Sequence, residues 1–317
     1  MKFNSLVLLC ILVCLCCDNK PTSKNTIIPT KKTAYLTVLG TAQDGGFPHI
    51  GCQKECCANF YNGTYKKQRV VSLGLVDQQN NQKWIFEATP DISTQLADLE
   101  QNHLKKETLI DGVFLTHAHI GHYTGLMYFG REALGKQGIK VYAMPKMKEF
   151  IETNGPWSQL VSIKNIELQA LQDETSLKLN NQLTVTPFLI PHRDEFSETV
   201  GYRITGPEKT ALFIPDIDKW HTWNKSIIEE VKKVDYAFLD ATFFNQKEVK
   251  RAMTEVPHPF VEETMQLFKN ESKATKNKVI FIHFNHTNPA LQAQSSVKKE
   301  AELLGFNFAA EGQNYAL

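Results

Sequence analysis

Thr116-His117-Ala118-His119-Ile120-Gly121-His122 is the stretch from which the rest of the chain can be read. The apolar run Gly112-Val113-Phe114-Leu115 before it reads as a short buried strand, and Thr124-Gly125-Leu126 after it as a sharp turn entering a helix. Histidines at i and i+2, with a third shortly after, can converge on one cation from the end of a strand. Neutral imidazole is the commonest zinc ligand, and zinc takes three or four such donors. A loop that was merely histidine-rich would have no matching partners elsewhere in the chain.

Such partners exist. Strands are expected at 35–39, 70–76, 84–86, 139–143, 166–171, 183–190, 200–204, 211–214, 236–239, 279–282 and 306–308, and helices near 90–104, 146–152, 227–231, 260–268 and 291–304. Residues of ligand type stand where strands stop: His192 after Pro191, Asp216 after Pro215, and His283 after the run ending at Ile282. Alone, such a histidine is more often packed or superficial, and such an aspartate often a turn or helix cap. In series behind the triple-histidine stretch they read as one site. No repeat or low-complexity linker interrupts 33–317, so this segment is expected to form one α/β sandwich domain with its site at the strand ends.

Composition agrees. Of 317 residues 42% are hydrophobic and 22% charged, enough for a buried core, and a net charge of +1 gives no basis for binding nucleic acid through bulk electrostatics. Residues 1–17 carry Lys2 and then an apolar run too short for a membrane span, ending in Cys16-Cys17 before polar Asp18-Asn19-Lys20. This resembles a bacterial lipoprotein signal, followed by a flexible tether at 18–32. The expectation is an exported protein, lipid-anchored to the cell envelope. Four of the seven cysteines fall in the signal, which leaves Cys52, Cys56 and Cys57 in the folded part. Three clustered thiols, two of them neighbours, form no disulfide framework and point to a metal.

The histidine stretch resembles the H-x-H-x-D-H signature of the metallo-β-lactamase superfamily. That resemblance implies a four-layer αββα sandwich with metal held at one edge between the sheets. It implies that His117, His119 and His192 hold one ion, that His122 and His283 belong to a second, and that Asp216 bridges. The chemistry implied is hydrolysis of an ester, amide or phosphodiester by a metal-activated water. Gly121 departs from the signature, standing where the family has an aspartate that ligates the second ion. The second site is therefore expected to be weaker or built differently. Asp91 is a possible helper for it, with a helix N-cap as its alternative role.

Gly45-Gly46-Phe47-Pro48 with its cysteines, and Thr287-Asn288-Pro289 behind His283, resemble a narrower branch. It contains the pyrroloquinoline quinone biosynthesis protein B and the cyclic phosphate phosphodiesterase of phosphonate breakdown. By that resemblance Cys52, Cys56, Cys57 and His286 would hold a structural zinc, and His258 would donate a proton to the leaving group, alongside Asp216 in the catalytic set. The expected cofactors are one or two active-site zinc ions, with manganese an alternative there, plus the structural zinc. The expected partners are a small-molecule substrate and the membrane. The first functional reading is a metallohydrolase, with phosphodiester cleavage as a candidate activity. The alternatives are a role of the quinone-biosynthesis type and a non-catalytic metal-binding lipoprotein.

Overall fold

The computed structural model describes residues 34–249, 252–292 and 294–317, so the expected signal and tether lie outside the described residues. Its strands are β1 (Ala34–Gly40), β2 (Ser72–Asp77), β3 (Gln82–Phe86), β4 (Gly112–Phe114), β5 (Ile139–Ala143), β6 (Ile166–Ala170), β7 (Leu177–Lys178), β8 (Thr184–Leu189), β9 (Val200–Thr205), β10 (Thr210–Ile214), β11 (Tyr236–Asp240), β12 (Val279–Ile282), β13 (Asn307–Phe308) and β14 (Asn314–Ala316). They form two mixed sheets, ordered β14-β1-β2-β3-β4-β5-β6 and β13-β12-β11-β10-β9-β8-β7.

The central strands β1–β4 and β10–β12 are buried on both faces, which requires cover on both. In β3, Trp84 and Phe86 point at the opposite sheet while Ile85 points outward; in β10, Ala211 and Phe213 point inward and Leu212 and Ile214 outward. Helices Ile92–Asp98, Pro145–Thr153 and Trp157–Ser162 cover the first sheet through Ile92, Met147, Ile151 and Leu160. Helices Ile227–Lys232, Val261–Leu267 and Ser296–Leu303 cover the second through Ile227, Val231, Val261 and Ala301. The result is the expected αββα sandwich.

Between the sheets, Phe114 stacks on Phe86 at 4.9 Å and meets Tyr202 of β9 edge-on at 5.6 Å. Each such ring contributes roughly 1.5–3 kcal/mol by leaving water. The Tyr202 hydroxyl donates to the carbonyl of Leu115, Val200 N donates to Thr116 O (3.2 Å), and Ala118 N donates to Ser197 Oγ (3.0 Å). The histidine stretch is thereby stapled to the second sheet at the edge where both sheets end.

Two expectations need correction. The strand at 306–308 closes only the second sheet; β14 returns to pair with β1, so the chain end crosses between sheets. Three residues of mixed polarity are too few to show a period. The helix expected over 90–104 is regular only to Asp98 and continues as a wider π turn, Leu99–His103. No helix among the described residues is long and apolar enough to cross a membrane.

Candidate metal centre

The site is assembled from strand ends. His117 follows β4, His192 follows β8, Asp216 follows β10, Asp240 ends β11 and His283 follows β12. His117 Nε2 lies 2.8 Å from His119 Nδ1, which lies 3.3 Å from His192 Nε2. Asp216 Oδ2 lies 3.3 Å from His117 Nε2, 3.1 Å from His192 Nε2 and 3.8 Å from His119 Nδ1. Four donors on zinc–ligand arms of about 2.0–2.1 Å would stand roughly 3.3–3.4 Å apart at the corners of a tetrahedron. The donor set matches a single cation.

A second set shares the same oxygen. Asp216 Oδ2 is 3.9 Å from His122 Nε2 and 4.0 Å from His283 Nε2. Asp44, in the loop after β1, places Oδ1 3.0 Å from His122 Nε2 and 3.9 Å from His283 Nε2. Asp44 Oδ1, His122 Nε2 and His283 Nε2 are all buried without a hydrogen-bond partner. Burial opposes a charge on His122, but Glu87 and Asp44 raise it well above the usual histidine range, so a proton and a cation compete for this position too.

The outer partners fix which nitrogen faces inward. His117 Nδ1 donates to Thr116 Oγ1 (2.9 Å), which in turn donates to Glu87 Oε1 (2.6 Å). His192 Nδ1 donates to Asp218 Oδ1 (3.0 Å), and His283 Nδ1 to Thr242 Oγ1 (2.8 Å), which donates to Asp240 Oδ1 (2.7 Å). In each case the network leaves Nε2 as the lone pair. Such outer partners orient metal-binding histidines and raise their basicity. Burial, with His122 nearby, holds His117 well below the usual histidine range. Burial also disfavours charge on His192, but Asp216 overrides it and lifts the group to about 9. Proton and metal thus compete for the same nitrogens.

His258 is buried with Nδ1 2.9 Å from Asp240 Oδ2 and 3.0 Å from Asp216 Oδ1. Its burial opposes a charge, yet the two carboxylates raise it well above the usual histidine range. The ring borders a cleft of about 260 Å³ lined by Gln43, Arg193, Thr242, Phe243 and Pro257.

The ligand atoms of Cys52, Cys56, Cys57 and His286 form a separate cluster, all within 4.8 Å of one another. Cys52 and Cys56 Sγ stand 4.0 Å apart, near the roughly 3.8 Å edge expected for sulfur arms of about 2.3 Å. Helix Glu55–Tyr61 carries Cys56 and Cys57, and all three cysteines are free. Burial and the neighbouring thiols push the Cys56 thiol up to about 12. Burial, His49 and Lys54 push His286 down to about 4, which keeps it neutral. His286 Nδ1 faces Asn285 Oδ1 at 3.0 Å, leaving Nε2 as the donor.

The sequence profile of the Beta-lactamase superfamily domain matches residues 83–284. The chain belongs to this superfamily. Similar members include the coenzyme PQQ synthesis protein B of Nitrosococcus oceani, 24% identical over 89% of this chain and 99% of that protein. The protein of that name from Acinetobacter baylyi is 25% identical over 87% of this chain and 98% of its own length. Among solved superfamily structures, Zn(2+)-bound PqqB from Methylobacterium extorquens superposes with a TM-score of 0.73 at 20% identity, covering 89% of this chain and all of that one. A diphosphatase of the PhnP family superposes at 0.62 and 20% identity, covering 90% and 97%.

The structure brings together His117, His119, His122, His192, Asp216, His258 and His283, and separately the three thiols and His286. It does not bring Asp91 to the metal centre. That carboxylate pairs with Lys67 and accepts from Val70 N (3.0 Å), and it does not cap its helix either. The carboxylate beside His122 is Asp44. It lies four residues beyond the end of β1, in a loop where nothing in its neighbours marks it as a ligand. Asp240 carried the same signal as Asp216, a buried strand ending in aspartate. Glu87, directly after β3, carried it as well; Asp218 and Thr242 carried none, since outer partners are set by packing.

Proposed function

We propose that the protein is a zinc-dependent hydrolase that cleaves an ester or phosphodiester. One observation carries this reading: the convergence of His117, His119, His192 and Asp216 at tetrahedral spacing beside the cleft that His258 borders. His122, His283 and Asp44 would complete a second position around the shared Asp216 oxygen, with manganese the alternative occupant of the active site. Zinc supplies Lewis acidity toward a carbonyl or phosphoryl oxygen and acidifies water to a pKa of about 7. The chain's own residues do the rest. Glu87, Asp218 and Asp240, directly or through threonines, keep the inner nitrogens unprotonated. Asp216 and Asp240 hold a proton on His258 Nδ1, which leaves its Nε2–H to donate to a departing oxygen. Similarity to the Zn(2+)-bound PqqB and to the PhnP-family diphosphatase supports both the metal and the reaction class.

The test is metal analysis of the mature protein combined with a panel of ester, lactam and phosphodiester substrates. His258→Ala is expected to slow substrates with poor leaving groups by about 10²–10⁴-fold while leaving activated nitrophenyl esters nearly unchanged. Equal losses on both would assign His258 a structural role.

The near full-length match to PQQ synthesis proteins favours a second reading, a role of that type in quinone-cofactor formation. Absence of turnover across the whole panel, with metal bound, would favour it over hydrolysis. A lipid anchor at Cys16 or Cys17, with export to the cell envelope, completes the proposal. It is motivated by the apolar run ending in these cysteines. Labelling cells with a palmitate analogue should mark the protein; unlabelled soluble protein starting beyond Cys17 would sink the anchor.

A further inference from the structure

Gly121 and Asp44 meet at one point in space. A Cβ placed on Gly121 would lie 2.2 Å from Asp44 Oδ1, 2.6 Å from Asp44 Cα and 2.9 Å from Asp44 Cγ. Gly121 does not have a positive φ, so its own backbone conformation does not call for glycine; the space does. Any side chain at 121 would have to displace Asp44. The Asp44 side chain is 15% exposed and its ion-pair partners are histidines, His122 and His283. A direct imidazolium–carboxylate pair would account for the 3.0 Å separation from His122, but Asp44 Oδ1 and His122 Nε2 both lack hydrogen-bond geometry to any partner. Close approach without hydrogen-bond geometry is what two ligands of one ion would show.

The loop carrying Asp44 is held from both sides, on one of them by Thr41 N and Ala42 N donating to Arg69 O (2.9 Å each). Gln43 N donates to Phe284 O (2.8 Å) and Phe284 N to Thr41 O (2.8 Å), directly beside His283. Asp44 is therefore presented to the site by paired backbone.

We propose that Asp44 is the carboxylate ligand of the second active-site cation, and that Gly121 is the vacancy that admits it. Positions 44 and 121 are then mutually exclusive sources of one carboxylate: the chain supplies from the first loop what the signature's aspartate would supply from 121. This rests on the active site holding metal, as argued above.

The experiment counts zinc in the mature full-length protein after loading and removal of free ion, and records melting temperature in parallel. Wild type is expected to hold two active-site ions beside the thiol-bound one. Asp44→Asn should weaken the second ion by at least about 100-fold, more than loss of an outer partner does, while keeping the first ion and the thiol-bound zinc. Gly121→Asp should also lose the second ion and should melt lower than wild type, because its side chain collides with Asp44. The double variant Asp44→Gly/Gly121→Asp should recover the second ion and the melting temperature. A wild type with one active-site ion, an Asp44→Asn protein with both, or a double variant no better than Gly121→Asp alone would each overturn the proposal. A wild type with no active-site ion would instead overturn the hydrolase reading on which it rests.

Discussion

Asp216→Asn is expected to weaken both cation positions and lower hydrolysis by about 10³-fold or more, since Lewis-acid stabilisation is worth several kcal/mol and each 1.36 kcal/mol is tenfold. The reason is geometric. One oxygen, Oδ2, stands within 3.1–4.0 Å of the inner nitrogens of His117, His119, His122, His192 and His283. Without that carboxylate the first position keeps only three neutral imidazoles and the second only Asp44 with His122 and His283, so each ion loses an anionic donor that the two share. Asparagine conserves the volume, so the effect reads on charge alone. Zinc content and turnover check it, with the melting temperature as the reference for folding. A variant that keeps its active-site ions and its rate would refute Asp216 as the shared ligand.

Cys56→Ser is expected to release one zinc and lower the melting temperature by about 8–16 °C. A site filled at about 1,000 times its Kd adds roughly 4 kcal/mol to folding, and each kcal/mol moves the melting point of a domain this large by about 2–4 °C. The consequence should extend to the active site. The thiol cluster joins the segment carrying Cys52, Cys56 and Cys57 to His286, three residues beyond His283, while Thr41 and Gln43 bond Phe284 between the two histidines. Releasing this clasp loosens the loop that presents Asp44, so the second active-site ion should weaken as well. Unchanged zinc and an unchanged melting point would show that the thiols hold no metal.

Much of this was legible in the residues alone. Both-face apolar strands, punctuated by proline, glycine and ligand-type residues, determine an α/β sandwich with its site where strands stop, because burial on both faces leaves only the strand ends to carry polar chemistry. The triple-histidine stretch and the three thiols likewise determine two metal-competent clusters, because such side chains gathered so closely have few other uses. Which carboxylate completes the second cluster was decided only by tertiary structure. Asp91 was the nearer guess by context, yet Lys67 and Val70 claim its oxygens. Asp44 takes the place because its loop passes over the space that Gly121 leaves empty. The return of β14 to the first sheet and the outer partners Glu87, Asp218, Thr242 and Asp240 were decided the same way. Sequence order carries residue types and their local period; ligation requires atoms from separate strands to meet within about the 2 Å arms of a metal ion, and only the packed chain sets those distances.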